Sequence, residues 1–167
     1  MMNLPDLSLA LQIFVLLNPL ASFPIIMAAY RKKMNVKKIA ASAVIVAFVV
    51  AVVIVLVGPA LFDMFNITLD SFRIAGGIVL LLLGINMVRP SSHDEKKEVT
   101  SMDSTISIIA TPMLTGPATI SFLTIKAYEI GQWSVLSGLL FAFILVGFVF
   151  LLFAFTISKI NTKIIDI

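Results

Sequence analysis

The stretch that most constrains this chain is residues 39–62, which contains no ionisable side chain. About 20 apolar residues in a row are enough for an α-helix to cross the hydrocarbon core of a bilayer. The composition agrees, since 60% of the residues are hydrophobic and 13% are charged, whereas soluble domains carry about a quarter charged residues. We therefore predict an all-α polytopic membrane protein in which residues 1–167 form a single membrane domain, surrounded by the lipid bilayer.

Polar connectors divide the chain into five apolar segments, each long enough to span the membrane. They comprise residues 7–30, 39–62, 71–88, 105–128 and 133–158. The pairs Asp70-Ser71 and Asp103-Ser104 predict where the third and fourth helices begin, because Asp and Ser are preferred N-cap residues. The fold class predicted is a bundle of transmembrane helices.

The positive charges predict the orientation of the chain. Ten of the twelve Lys and Arg residues fall in three connectors, residues 31–38, 89–104 and 158–163, and the two connectors that alternate with these hold acids and no cation. The positive-inside rule then places the N-terminus outside and the C-terminal tail in the cytoplasm. The net charge of +3 reflects this topology, so no nucleic-acid partner is predicted. The two remaining cations, Arg73 and Lys126, lie near outer helix ends, and Arg73 is expected to pair with Asp70 or Asp63.

Two proline pairs interrupt the first and fourth apolar segments with the same spacing. The stretch "NPLASFP" begins at Asn18, "TPMLTGP" begins at Thr111, and equivalent prolines are 93 residues apart. Three helices separate the two motifs, an odd number, so the second copy is inverted in the membrane relative to the first. We predict an inverted 3+3 repeat, with repeat one over residues 7–88 and repeat two over residues 105–167. Repeat two ends before its own third helix, and the last helix is therefore expected to be missing.

Prolines in a helix centre free backbone carbonyl groups, which in lipid must be satisfied by protein or line a wet cavity. Two broken helices meeting at the midplane would offer helix N-termini to a carboxylate and free carbonyls to a cation. This pattern predicts binding of a small zwitterionic solute, with a proton or sodium as the candidate coupling ion. The predicted substrate-binding residues are Asn18, Pro19, Ser22, Pro24, Thr111, Pro112, Thr115, Gly116, Pro117 and Thr119.

Two other interpretations remain open. In the first, the prolines only kink the helices, the hydroxyls bond back to carbonyls of their own helix, and the protein is a membrane scaffold or assembly subunit. Two rows of small residues would then bind partner helices: Ala43, Ala47 and Ala51, and Ser134, Gly138 and Ala142. The second is an intramembrane enzyme, which the sequence disfavours. It has no Cys, its one His, His93, lies in a charged loop, and no acid lies deep inside a span. We predict no catalytic residue, no metal site and no cofactor.

Three motifs in order along the chain resemble the MarC-type integral membrane proteins, within the wider LysE-like exporter group. They are "NPLASFPI", "FRIAGGIVLLLLGINM" and "TPMLTGPATI". The resemblance implies a six-helix inner or plasma membrane protein built as a 3+3 repeat, and a transporter of small neutral amino acids such as glycine and alanine. The function expected is therefore secondary transport or export of such solutes by alternating access, with a homo-oligomer as a candidate assembly.

Overall fold

The computed structural model describes residues 4–88 and 101–159, and every regular element in them is helical. The all-α prediction is confirmed for this part of the chain. The elements are α1 Leu4–Leu17, a 3₁₀ turn Pro19–Ser22, α2 Phe23–Arg31, α3 Val36–Phe65, α4 Leu69–Val88, α5 Met102–Ile108, a π-helical segment Ile109–Leu114, α6 Pro117–Ile130 and α7 Gln132–Lys159.

Three segments of the described residues are long and apolar enough to cross a membrane: Leu7–Arg31, Val36–Phe65 and Gln132–Ile157. The predicted span 71–88 lies within α4, while the predicted span 105–128 is divided among α5, the π-helical segment and α6. That these two also cross the bilayer stays a prediction, as do the inverted repeat and the missing last helix. The predicted loop around His93 and the tail beyond Lys159 lie outside the described residues.

Two helices begin earlier than the sequence predicts. The hydroxyl of Thr68 accepts the N–H of Ser71 at 3.2 Å, and the hydroxyl of Ser101 accepts the N–H of Ser104 at 3.1 Å. Ser104 returns the contact through its own hydroxyl, which accepts the N–H of Ser101 at 3.0 Å, giving a reciprocal capping box. Hydroxyl caps thus take the place of the predicted Asp-Ser pairs.

Helix α3 lies at the centre of the bundle, in contact with α2, α5, α6 and α7, and α1 packs mainly on α7. The predicted small-residue row Ala43, Ala47 and Ala51 is fully buried, which allows close backbone approach. The second row is divided. Ser134 is exposed, whereas a Cβ added to Gly138 would lie 3.0 Å from Leu9 Cδ2 of α1.

The outer surface of the bundle is apolar. Large side chains that are more than half exposed include Ile45 on α3, Ile74 on α4 and Phe148 on α7. In water such a surface would be an association site. Around a helical bundle of this composition it is the surface that faces lipid.

Candidate solute site at the paired helix breaks

The first break is made by Asn18. Helix α1 ends at Leu17, and Asn18 adopts a left-handed conformation with φ 40° and ψ 62°. Asn visits this region more readily than most residues because its short polar side chain can bond locally. Pro19 then opens the 3₁₀ turn that leads into α2. The interruption is therefore present where the first motif predicts one, but a left-handed Asn ends the helix before the proline is reached.

The later proline of each pair begins a helix. Pro24 stands in the first turn of α2, and Pro117 is the first residue of α6, directly after an extended Gly116 with ψ 174°. A missing N–H costs nothing at these positions, because first-turn N–H groups have no acceptor within the helix. The expectation that Pro24 and Pro117 free a carbonyl four residues upstream is therefore wrong.

The second break is a π-helical segment that contains Thr111 and Pro112, whose backbone alone is described. At its end, the N–H and the hydroxyl of Thr115 both donate to the carbonyl of Ala110, at 3.1 Å and 2.8 Å. The Thr119 hydroxyl donates to the Leu114 carbonyl at 3.3 Å. Both threonine side chains are buried. The carbonyls released by the break are thus occupied by hydroxyls of the same segment, in the manner expected of a structural kink.

The structure brings the two breaks together, since the 3₁₀ turn Pro19–Ser22 packs against the π-helical segment Ile109–Leu114. Ser22 is completely buried, and its hydroxyl has no hydrogen-bond partner among the described residues. A buried unpaired hydroxyl costs about 1–3 kcal/mol. Among the buried side-chain polar atoms that the structure describes, the Ser22 hydroxyl is therefore the one that lacks a partner.

A cleft of about 240 Å³ lies beside the first break. It is lined by Phe14, Val15, Asn18, Pro19, Leu20 and Val149, of which Asn18 and Pro19 are predicted site residues. The apolar members give no sequence signal that would separate them from ordinary core or lipid-facing residues. The volume suits a solute of a few heavy atoms.

The remaining predicted residues are dispersed around this region. Ser22, Thr115 and Thr119 are buried and Gly116 is partly buried, whereas Pro24 and Pro117 are exposed. Neither proline lines the cleft beside the first break. The geometry therefore retains the buried hydroxyls and the cleft residues as candidates and assigns Pro24 and Pro117 to helix initiation.

Charged side chains gather near the ends of α4 and α6. Arg73 donates to Asp70 at 3.2 Å, as predicted, and also to Glu129, while Lys126 donates to Glu129 at 2.8 Å. The hydrogen bonds from Lys126 and Arg73 lower the pKa of Glu129 below its ordinary value, and the bond from Lys126 has the larger effect. Asp63 was predicted as the alternative partner of Arg73, whereas the second acid that Arg73 binds is Glu129. The position of Glu129 in an acidic connector was the only sequence feature that pointed to it. No group of acids or His that could hold a metal occurs within residues 4–88 and 101–159.

A bundle of apolar helices whose two interruptions meet inside it is a polytopic helical membrane protein. The chain belongs to the MarC family of integral membrane proteins, whose family model matches residues 7–166. This confirms the family named by the three motifs.

Relatives at moderate identity occur in archaea and bacteria. A UPF0056 membrane protein of Methanocaldococcus jannaschii is 32% identical over 126 residues, covering 70% of this chain and 61% of the relative. One from Buchnera aphidicola is 28% identical over 153 residues, covering 86% and 72%, and YhcE of Escherichia coli is 27% identical over 118 residues, covering 65% and 55%. The chain thus spans between about half and three quarters of the length of these relatives. No solved structure matches it.

Proposed function

We propose that this protein takes part in secondary transport or export of small neutral amino acids of the glycine and alanine type by alternating access. The observation that carries the proposal is the packing of the Pro19–Ser22 turn against the Ile109–Leu114 segment. Transporters with broken helices bind their substrates where such interruptions meet. The membrane around the bundle is expected to be the inner or plasma membrane.

The chemistry of the breaks suits a zwitterion. The last carbonyls of α1, around Leu17, form the negative end of a helix, and the first N–H groups of α2 and α6 form positive ends. A carboxylate is attracted to the positive ends and an ammonium group to the carbonyls. The carbonyl of Leu114 accepts one threonine hydroxyl and has a second lone pair, so it is a candidate ligand for a sodium ion or an acceptor for a proton-carrying group as the coupling ion.

The small volume limits the side chain of the solute. A cleft of about 240 Å³ beside the first break leaves room for glycine or alanine and disfavours aromatic or long charged amino acids. Ser22 belongs to the same turn as the cleft residue Pro19, and its hydroxyl, unpaired within the described residues, would gain a hydrogen bond from a solute that reached it. The desolvation of this hydroxyl would then be offset in the bound state.

The experiment is uptake of labelled glycine and alanine into proteoliposomes, with and without proton and sodium gradients. Ser22→Ala and Thr115→Val remove hydroxyls at the breaks, and Thr124→Val is the matched control, because its hydroxyl also donates to a carbonyl of its own helix, that of Ile120, at 2.8 Å. We expect gradient-dependent flux that falls at least about tenfold in the first two variants and persists in the control. Solute binding is read in parallel as a thermal shift of the purified protein.

The bonds from Thr115 and Thr119 to carbonyls of their own segment favour a second candidate, a membrane scaffold with kinked helices. In that case neither flux nor a thermal shift with glycine or alanine occurs, and the three variants behave alike. Absence of both signals in a well-folded protein would therefore contradict transport.

A further inference from the structure

An apolar groove made of two adjoining clefts lies between α3 and α7. Its upper part, about 230 Å³, is lined by Ala40, Ala41, Val44, Ile45, Gly147, Phe150 and Leu151. Its lower part, about 220 Å³, shares Val44 and Ile45 and continues to Phe48, Leu140, Phe143 and Ile144. We call the two parts together the α3–α7 groove. The part that we call upper is the one near the start of α3. Ala40, Ala41 and Gly147 line it, and their small side chains leave space between the two helices.

A lysine stands at the upper mouth of this groove. Lys37 precedes Ala40, Ala41 and Val44 by three, four and seven residues, so it lies on the same face of α3. Its ammonium group is 4.9 Å from the ring centre of Phe155 on α7, which places the charge across the gap between the two helices. The α3–α7 groove is therefore apolar along its length and positively charged at the end near Lys37.

The charge at this end is not neutralised by the helices that form the groove. Lys38 follows Lys37 in the first turn of α3, and the connector before it carries Arg31, Lys32 and Lys33. Helix α3 has no acid before Asp63, and α7 has none over Gln132–Lys159. Lys37 and Lys38 make no ion pair within the described residues. The positive-inside rule places this end at the cytoplasmic leaflet, where anionic lipids are found.

The length of the groove matches one leaflet. From Lys37 to Phe48, α3 rises about 16 Å at 1.5 Å per residue, close to half of the roughly 30 Å hydrocarbon core. An acyl chain extended from a headgroup at Lys37 would reach the bilayer centre at the lower end of the groove.

We propose that the α3–α7 groove is a binding site for an anionic phospholipid of the cytoplasmic leaflet. One acyl chain lies in the groove beside Ala40, Ala41 and Gly147, and the phosphate is held by Lys37 and Lys38. The contact between Lys37 and Phe155 keeps the cation over the groove while the site is empty. This inference is independent of the proposed solute transport, since it uses no residue of the helix breaks.

The first test is fluorescence quenching by brominated lipids. The sole tryptophan, Trp133, is replaced by Phe, and a reporter is introduced by Leu151→Trp in the groove or by Ile74→Trp on α4, both positions being more than half exposed. We expect brominated phosphatidylglycerol to quench the groove reporter more effectively than brominated phosphatidylcholine. The preference should fall by about fivefold for each of Lys37→Gln and Lys38→Gln. The α4 reporter should show no preference.

The second test fills the α3–α7 groove and leaves Lys37 and Lys38 in place. A Cβ added at Gly147 meets no other atom within 4 Å, so Gly147→Leu is expected to place its side chain in the groove, and the melting temperature of the variant checks that the fold is kept. Native mass spectrometry of this variant should lose the phosphatidylglycerol adduct that the unmodified protein retains.

Equal quenching by the two lipids, or a preference that survives both lysine substitutions, would overturn the proposal. An adduct unchanged by Gly147→Leu would do the same. A dimer that Gly147→Leu abolishes, without any lipid adduct, would assign the groove to a second copy of the chain instead.

Discussion

Arg73 of α4 donates a hydrogen bond to the carboxylate of Glu129 at the end of α6, joining residues that lie 56 positions apart. Lys126 donates to the same carboxylate. One acid thus binds two cations, one from its own helix and one from the neighbouring helix. Helix α4 has its main described contact with α6, and this ion pair fixes the end of that contact.

Acidification should weaken this end of the bundle. The pKa of Glu129 is lowered in the folded protein, so its stabilising contribution is complete above its ordinary pKa and is lost as the pH falls through the lowered value. We expect the melting temperature of the purified protein to decline over that acidic range. In Glu129→Gln the decline should be shallower and the neutral-pH melting temperature lower.

The control is Asp63→Asn, at an exposed acid that forms no ion pair within the described residues. It should follow the pH dependence of the unmodified protein. A Glu129→Gln profile that coincides with the control profile would show that the ion pair contributes nothing.

Gly58 is predicted to tolerate no side chain. A Cβ there would lie 2.7 Å from Thr124 Cγ2, and Thr124 is held in place by its bond to the Ile120 carbonyl. We expect Gly58→Ala to destabilise the fold by about 1–3 kcal/mol, the usual cost of overpacking. Gly77→Ala, where the added Cβ meets nothing within 4 Å, should be neutral or stabilising by up to about 1 kcal/mol. Thermal unfolding in detergent measures both, and equal effects would contradict the contact.

At position 18, substitution of the asparagine by glycine should be tolerated better than substitution by alanine. Its φ of 40° is a left-handed conformation that costs an ordinary residue about 1–2 kcal/mol. Asn18→Ala is therefore expected to lower the free energy of unfolding by about this amount, and Asn18→Gly to leave it nearly unchanged. If both variants melted like the unmodified protein, the break would not depend on this backbone conformation.

Loss of the Ser22 hydroxyl should not reduce stability, because the group is buried without a partner in the described residues. We expect Ser22→Ala to melt at the same temperature or higher. Thr105→Val offers a contrast, since it removes a buried hydroxyl that donates to the Ser101 carbonyl at 2.7 Å and should cost about 0.5–1.5 kcal/mol. A clear destabilisation by Ser22→Ala would mean that this hydroxyl already has a partner in the folded protein.

Hydrophobic length and charge placement predicted the helical membrane class, because both act through individual segments and need no knowledge of packing. The proline frames likewise located both interruptions. Their conformations could not be read in the same way. A left-handed Asn18 and a π-helical segment with Thr115 bonded to Ala110 depend on how the segments pack, and identical proline spacing is compatible with either.

The site residues divided along similar lines. Burial of Ser22 and Thr119 follows from tertiary contacts, which proline spacing does not encode. Glu129 was missed as the partner of Arg73 because sequence distance says nothing about which helix ends are adjacent. Pro24 and Pro117 were predicted as site residues because proline lacks an N–H. That lack frees a carbonyl only inside a helix and has no such effect in a first turn, where both prolines lie.

The contacts of α1 and α3 with α7 determine when the bundle can be completed during synthesis of the chain. Helices α1 and α3 are made early, yet the helix on which both pack most extensively is α7, the last one described. The part of α3 that packs on α7 and the Leu9 side of α1, which lies against Gly138, therefore gain their partner only after α7 has been synthesised. The α1–α7 and α3–α7 contacts thus join segments that are made at different times, and a change that weakens α7 is expected to affect the assembly of both earlier helices.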